Sequence, residues 1–153
     1  MTKEVENYMY LCEKIENKEF RERVKNSFVY YIKNANFYKY VGMALSILGI
    51  ILPALATILT ACDADKVWIT CVTSAATVAS GIFAYLKCFD KQETYRKAAE
   101  NMKRELVAYA AEQSNYKKGS DKNAILFERI ENIIQNGYDR IVELNKESEK
   151  TAK

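Results

Sequence analysis

The chain contains no histidine, and this absence removes a large part of enzyme chemistry. Imidazole acid/base catalysis, Cys/His nucleophile pairs and His-ligated metal sites all need a side chain that the protein lacks. The sequence also has no Gly-rich phosphate loop and no convincing pairing of a nucleophile with a base. We therefore expect a protein that is not an enzyme, with no catalytic residues, no metal site and no cofactor.

Paired cysteines and runs of basic residues are missing as well. Cys12, Cys62, Cys71 and Cys88 are far apart and form no C-x-x-C motif, so we expect independent, mostly reduced thiols. The net charge is only +3, and no stretch of Lys and Arg stands out. A nucleic-acid partner is therefore not expected.

Charged residues are absent from two long windows, although 28% of the 153 residues are charged. The windows are residues 40–62 and 67–86, and both are strongly apolar. At ~1.5 Å per helical residue they measure roughly 34 Å and 30 Å, and the hydrocarbon core of a bilayer is ~30 Å thick. Apolar residues of a soluble fold are instead mixed with polar ones along each amphipathic element. The pattern therefore predicts an all-α membrane protein with two transmembrane spans.

The two windows form a hairpin, because only residues 63–66 separate them, which is room for a tight outer turn. The first window is rich in Leu and Ile and should insert by itself, whereas the second contains several Thr and Ser residues and should insert as the other half of the hairpin. The alternative is a soluble bundle that buries the apolar hairpin. Shielding two such helices takes many amphipathic helices, and this chain can supply only about three.

The distribution of cations predicts the orientation. Five Lys or Arg residues precede the first window within ~20 residues and six follow the second, whereas the turn contains Lys66 alone. The positive-inside rule then places both termini in the cytoplasm.

Amphipathic helices are expected on both sides of the hairpin. Before it, apolar residues recur at helical spacing, and these are Phe20, Val24, Phe28, Tyr31, Ala35 and Tyr38. After it, a heptad-like seam has no Pro or Gly break, and it consists of Tyr95, Ala99, Met102, Leu106, Tyr109, Gln113 and Tyr116. We therefore expect the second span to continue as one long helix as far as Gly119, with Ser120 or Asp121 capping a further helix. In that helix the pattern consists of Phe127, Ile130, Ile134, Gly137, Ile141 and Leu144.

The predicted organisation has four parts. Residues 1–39 form N-terminal cytoplasmic amphipathic helices, including a short one around Val5 to Ile15, and residues 40–86 form the hairpin. Residues 87–145 form a cytoplasmic domain of long helices, which pack on one another, pair between subunits, or both. Residues 146–153 form a polar, frayed tail.

Small and hydroxylated residues share one side of the second span, which we call the hydroxyl arc. It consists of Thr70, Thr73, Ser74, Thr77, Ser80, Gly81 and Ala84. These residues either line a pore or pack against the small residues of the first span. Asp63 and Asp65 at the outer mouth, with Lys87 inside, either form charged rings of such a pore or are ordinary solvated charges and membrane anchors.

The segment after the hairpin contains Tyr95, Arg96, Glu100, Lys103, Glu105 and Tyr109. With these residues it resembles the post-membrane segment of the SLATT family, which consists of small bacterial two-transmembrane proteins. The resemblance extends over roughly residues 20–145. Glu93-Thr94 stand where the family segment starts with a tryptophan. The resemblance implies a membrane effector, associated with nucleotide-sensing defence modules, that permeabilises the membrane when a sensor detects infection.

The expected function is therefore that of an inner-membrane effector that forms homo-oligomers and opens a pore or depolarises the cell in a nucleotide-regulated anti-phage system. Its partners would be the lipid bilayer, further copies of itself and a cytoplasmic nucleotide-sensing protein. The alternative is a non-conducting membrane anchor that recruits a cytoplasmic sensor through its helical domain. Arg96, Lys97, Lys103 and Arg104 could hold a phosphate, although Glu100 and Glu105 beside them favour a solvated, partly neutralised helix face.

Overall fold

The computed structural model describes residues 3–113, 116 and 121–151, and in this part of the chain every regular element is a helix. The five helices are α1 (Lys3–Cys12), α2 (Lys18–Ala61), α3 (Lys66–Leu86), α4 (Cys88–Ala110) and α5 (Lys122–Thr151). The predicted all-α fold is confirmed.

Asn17 sets the boundary between α1 and α2. Its Oδ1 accepts a hydrogen bond from the Phe20 N–H at 3.1 Å, the geometry of a helix N-cap. The Arg21 guanidinium donates to the Ile15 carbonyl at 2.7 and 3.0 Å and so ties the linker back to α2. The predicted short N-terminal helix is confirmed.

The turn between α2 and α3 is as tight as its length predicts. α2 continues through Pro53 and ends at Ala61, and Asp63, two residues later, adopts a left-handed φ of 50°. The Ala64 N–H then donates to the Leu59 carbonyl at 3.0 Å, which closes a Schellman motif. The Asp65 side chain caps α3 by accepting from the Val67 N–H at 3.2 Å.

The expectation that the second span continues without a break into the following helix is wrong. α3 ends at Leu86, Lys87 adopts a left-handed conformation with φ 44° and ψ 47°, and α4 begins at Cys88. Two tertiary contacts accompany the break. The Lys87 ammonium pairs with the Glu147 carboxylate, and a Cβ on Gly42 would lie 3.0 Å from that of Cys88. Because neither a glycine nor a proline stands at the break, local sequence rules give no sign of it.

α4 also ends earlier than expected, at Ala110. Glu112 is left-handed with φ 51°, and the Gln113 N–H donates to the Ala108 carbonyl at 3.0 Å, so a second Schellman motif ends the helix. Gly119 and Ser120 lie outside the described residues. Asp121 does cap α5, because its Oδ1 accepts from the Ala124 N–H at 3.3 Å.

The expected frayed tail from residue 146 is largely wrong, because α5 continues to Thr151. Ser148 is buried and its hydroxyl donates to the Leu144 carbonyl at 2.9 Å. Tertiary packing at this position, together with the ion pair of Glu147, stabilises a helical turn whose composition is polar. Residues 152 and 153 lie outside the described part of the chain.

The chain divides into two compact units. Unit 1 consists of Met1–Ala35 with Glu93–Val142, and unit 2 of Asn36–Gln92 with Glu143–Lys153.

In unit 1, α1 packs through Tyr8, whose ring stacks on Phe28 with centroids 3.3 Å apart. The core of unit 1 confirms most of the predicted seams, including Val24, Phe28, Ala99, Met102, Leu106, Tyr116 and Ile130. Gln113 is exposed, however, and on α5 Leu126 is buried in place of Phe127, which is half exposed.

Unit 2 contains the two apolar windows, and it buries little of them. Only 11% of the most apolar stretch of α2 is buried. In the segment Lys66–Ala110, which contains α3 and α4, 6% of the most apolar stretch is buried. A core helix of a soluble protein would be mostly buried. The structure therefore does not show the alternative, a soluble bundle in which the chain buries its own apolar hairpin. Two helices are long and apolar enough to cross a membrane.

Candidate functional site

The face of α3 that packs within unit 2 is narrow, and its most buried residues are small. Ala76 and Ala79 are its buried members, and Ile69, Val72 and Phe83 at helical spacing are half buried. On α2 the buried residue near the middle of the apolar window is Ala56. Small side chains allow apolar helices to approach closely, so this face serves the hairpin itself.

The hydroxyl arc lies outside that packing face. All seven of its residues are exposed, from Thr70 to Ala84, and nothing lies within 4 Å of a Cβ placed on Gly81. The structure therefore does not pack the arc against the small residues of α2 in the same chain.

The threonine hydroxyls of the arc are hydrogen-bonded within α3. Thr70, Thr73 and Thr77 each donate to the carbonyl four residues earlier, at 2.8, 2.9 and 3.0 Å. This bonding satisfies the three threonine donors without water, so these threonines present the remaining lone pairs of their oxygens and not hydroxyl protons.

The predicted mouth charges have different environments. Asp63 and Asp65 are both exposed at the α2–α3 turn, where Asp65 also caps α3. Lys87 is bound by Glu147, so its charge is largely compensated by a residue of α5. One turn later Lys91 is buried, with its ammonium 5.6 Å from the Tyr38 ring centroid, and burial lowers the pKa of this lysine. In the single chain the Lys87 ammonium is therefore not a free cation.

The family-like segment lies on α4 in unit 1, and its residues divide between two faces. Tyr95 is buried, and Glu105 and Tyr109 are half buried. Arg96, Glu100 and Lys103 lie on the outer side, where Arg96 pairs with Glu100 at 3.3 Å as an exposed i,i+4 ion pair. The expected partial neutralisation of this face is confirmed for that pair.

Glu105 is the centre of a hydrogen-bonded network that the sequence pattern does not predict. Its carboxylate accepts two hydrogen bonds from Arg129 Nη1, at 3.0 and 3.1 Å, and one from the Tyr116 hydroxyl at 2.7 Å. The Arg129 guanidinium also lies 5.7 Å from the centroid of the Tyr116 ring. Tyr116 is fully buried, and this burial raises the pKa of its hydroxyl.

Tyr109 extends the network to the start of α5. Its hydroxyl donates to Asn123 Oδ1 at 2.8 Å, and its ring meets that of Tyr116 edge to face at 5.7 Å. Arg129 and Asn123 lie 24 and 14 residues from their partners, on a helix whose approach only the tertiary structure defines. These contacts hold α4, Tyr116 and α5 together, so the inner residues of the segment have a structural role.

The remaining side chains offer little chemistry in the described ranges. No group of three or more Cys, Asp or Glu residues there could hold a metal ion. The four cysteines are free, with Cys12 and Cys88 buried and Cys62 and Cys71 exposed.

The protein is thus an all-α protein with two helices long and apolar enough to cross a membrane. A family model matches residues 22–124, and the chain belongs to this family, DUF4231, described as a protein of unknown function. The match covers most of α2, all of α3 and α4, and the start of α5. No curated protein and no solved structure matches the chain.

Proposed function

We propose that the protein is an integral protein of the bacterial inner membrane, with both termini in the cytoplasm, that assembles into homo-oligomers and permeabilises the membrane. In this proposal α2 and α3 span the bilayer, and the hydroxyl arc of α3 faces a lumen between subunits. The resemblance of residues 95–109 to the SLATT segment supports the further proposal that a nucleotide-sensing partner of an anti-phage system controls the assembly.

The observation that carries the proposal is the position of the hydroxyl arc on α3. The arc is wholly exposed, while Ala76 and Ala79 on another face pack within unit 2. Two spans are too few to enclose a channel, so conduction needs several copies, and the less lipid-like face is the one expected to line it. Oxygen lone pairs directed outward from Thr70, Thr73 and Thr77 would suit water or cations in such a lumen.

The membrane location rests on the large exposed apolar side chains of both windows. On α2 these include Ile47, Ile50 and Ile58, and on α3 Val78 and Ile82. An apolar surface of this extent requires a bilayer or a partner to cover it. Trp68 at one end and Tyr40 and Tyr85 at the other are exposed, as expected for aromatic residues at membrane interfaces.

The test is ion flux in liposomes reconstituted with the purified protein under a potassium gradient. We expect wild type to dissipate the potential, and Ser74→Leu/Thr77→Leu on the arc to reduce the flux severalfold. Val78→Leu, on the neighbouring exposed side, is the matched control and should conduct as wild type does. All variants must insert equally, as measured by flotation.

The second candidate is a non-conducting scaffold that recruits a cytoplasmic sensor. Full insertion without any flux, in oligomers of normal size, would favour this function over a pore. A flux that Ser74→Leu/Thr77→Leu and Val78→Leu reduce equally would mean that the arc does not line the pathway.

A further inference from the structure

Unit 1 contains a cleft that neither the hairpin nor the Glu105 network uses. It lies between residues 26–31 of α2, Tyr95 of α4 and residues 134–141 of α5, and its volume is about 450 Å³. Small-molecule sites in proteins typically measure ~300–1,000 Å³, so the cleft is large enough for a compact organic ligand.

The floor of the cleft is formed by buried, closely packed side chains. Tyr31 and Tyr95 are both buried, and the Tyr31 hydroxyl donates to the Ile134 carbonyl of α5 at 3.1 Å. Gly137 makes this approach possible, because a Cβ at that position would lie 2.9 Å from the Tyr31 hydroxyl oxygen. The glycine therefore shapes the floor by leaving room for the tyrosine.

One wall is an aromatic ring held in place although it is exposed. Tyr30 is 55% exposed, yet its ring contacts those of Tyr31 and Tyr95 edge to face, at 5.7 and 6.0 Å between centroids. Tyr138, which is 63% exposed, lines the cleft from α5 and makes no ring contact in the described part of the chain. Because the Tyr30 ring is held in advance, little entropy is lost when a flat ligand stacks on it.

The residues that line the cleft disfavour a charged ligand. It contains four tyrosines, two isoleucines and Gly137, but no Lys, Arg, Asp or Glu. Polar atoms come from the Asn26 amide, the Ser27 hydroxyl and the exposed phenol groups. A phosphate or carboxylate would find no cation among these residues and would lose its hydration without compensation.

We propose that this cleft binds a neutral, planar aromatic small molecule that carries a hydrogen-bonding group. The ring stacks against Tyr30 and Tyr138, and its polar group bonds to Asn26 or Ser27. The site needs no membrane conduction and stands independently of the proposed function. Its α5 wall lies beyond residue 124, so the family match does not include it.

Indole serves as the probe, since it is neutral and planar and has one N–H donor. Binding to the full chain in lipid nanodiscs is followed by saturation-transfer NMR, with empty nanodiscs as the reference for lipid partitioning. We expect saturable binding to wild type, and at least fivefold weaker binding to Tyr138→Ala. Tyr10→Ala is the matched control, because Tyr10 is 66% exposed and lies outside the cleft, and it should bind as wild type does.

Ile141→Trp, which fills the cleft with a larger side chain, provides a second variant, and helix content measured by circular dichroism identifies any variant that fails to fold. Indole binding that survives both folded cleft variants would overturn the proposal, as would binding no stronger than in empty nanodiscs.

Two comparison ligands test the chemistry. AMP, with its charged phosphate, and cyclohexanol, which is neutral but not planar, should both bind at least fivefold more weakly than indole. An equal affinity for AMP would contradict the preference for neutral ligands.

Discussion

The hydroxyl oxygen of Tyr31 lies 2.9 Å from the point that a Cβ on Gly137 would occupy. Two carbon atoms of the same ring lie at 3.4 Å from that point, which is ordinary contact or nearly so. A side chain at residue 137 would therefore require the Tyr31 hydroxyl to shift, and the glycine permits this close approach of α2 and α5.

Gly137→Ala should destabilise unit 1 by about 1–3 kcal/mol, because the added methyl group displaces the Tyr31 hydroxyl and its bond to Ile134. In a Tyr31→Phe background the contact at 2.9 Å is gone, and the same substitution should be near neutral or stabilising, since alanine favours helix by about 1 kcal/mol over glycine. Denaturant unfolding followed by circular dichroism measures both costs. Equal costs in the two backgrounds would mean that the hydroxyl is not the constraint.

Glu105→Ala should cost about 1–3 kcal/mol, because it leaves the buried Tyr116 hydroxyl without its acceptor. The matched control is Glu100→Ala on the same helix, which removes only the exposed pair with Arg96 and should cost about 0.5 kcal/mol or less. The two unfolding midpoints are compared under identical conditions. If Glu105→Ala is as mild as the control, the network has no structural role.

The elements of this fold were largely predictable because they depend on local patterns. Uncharged windows of bilayer length gave α3 and the apolar part of α2, and helical spacing gave Val24, Phe28, Met102 and Leu106 as core. The helix ends were less predictable. Asp63, Lys87 and Glu112 all adopt positive φ, where glycine is the residue that sequence rules look for. Long-range contacts such as Lys87–Glu147 accompany one of these ends and have no local signal.

The stability of unit 1 should fall as the pH rises from 9.0 toward 11. Burial raises the pKa of the Cys12 thiol from 9.0 to about 11, and the neighbouring Tyr8 hydroxyl is shifted in the same direction. Below pH 9.0 the thiol is protonated in both states and its contribution is fully present. Above it the unfolded chain releases a proton that the folded chain retains, so stability is lost until the folded thiol also ionises.

The Cys12→Ala variant should therefore lose less stability than wild type between these two pH values, as measured by urea unfolding. Some pH dependence should persist because Tyr8 remains. Cys62→Ala is the control, since Cys62 is exposed, and it should follow the wild-type curve. If the stability of Cys12→Ala falls with pH as steeply as that of wild type, ionisation of Cys12 is not a cause of the loss.

The orientation can be tested with native cysteines. If the α2–α3 turn is outside the cell, a membrane-impermeant maleimide added to intact cells should label wild type at Cys62 and should not label Cys62→Ser. Cys62 is the last residue of the first window and adjoins the turn, whereas Cys71 lies inside the second window. Cys12 and Cys88 are buried, so only Cys62 should react. Lys103→Cys in the Cys62→Ser background should react only after lysis. Labelling of that variant in intact cells would show that the orientation is the opposite of the one proposed.

The candidate site was partly predictable for the same reason as the fold. Helical spacing alone groups Thr70, Ser74 and Thr77 on one side of α3, and the structure shows that this side is exposed. Whether it faced α2 depended on the rotation of one helix against the other, which spacing does not determine. The partners of Glu105 depended likewise on how α5 packs.

The most direct test of the proposed lumen is water access at residue 77. In a background of Cys62→Ser and Cys71→Ser, Thr77→Cys and Val78→Cys are compared in the membrane-embedded oligomer by their rate of reaction with a small, water-soluble methanethiosulfonate. Both positions are exposed in the single chain, but only Thr77 belongs to the hydroxyl arc. We expect the cysteine at 77 to react at least tenfold faster, because it faces water and the cysteine at 78 faces lipid. Equal rates, or no reaction at 77 in an oligomer that conducts, would contradict it.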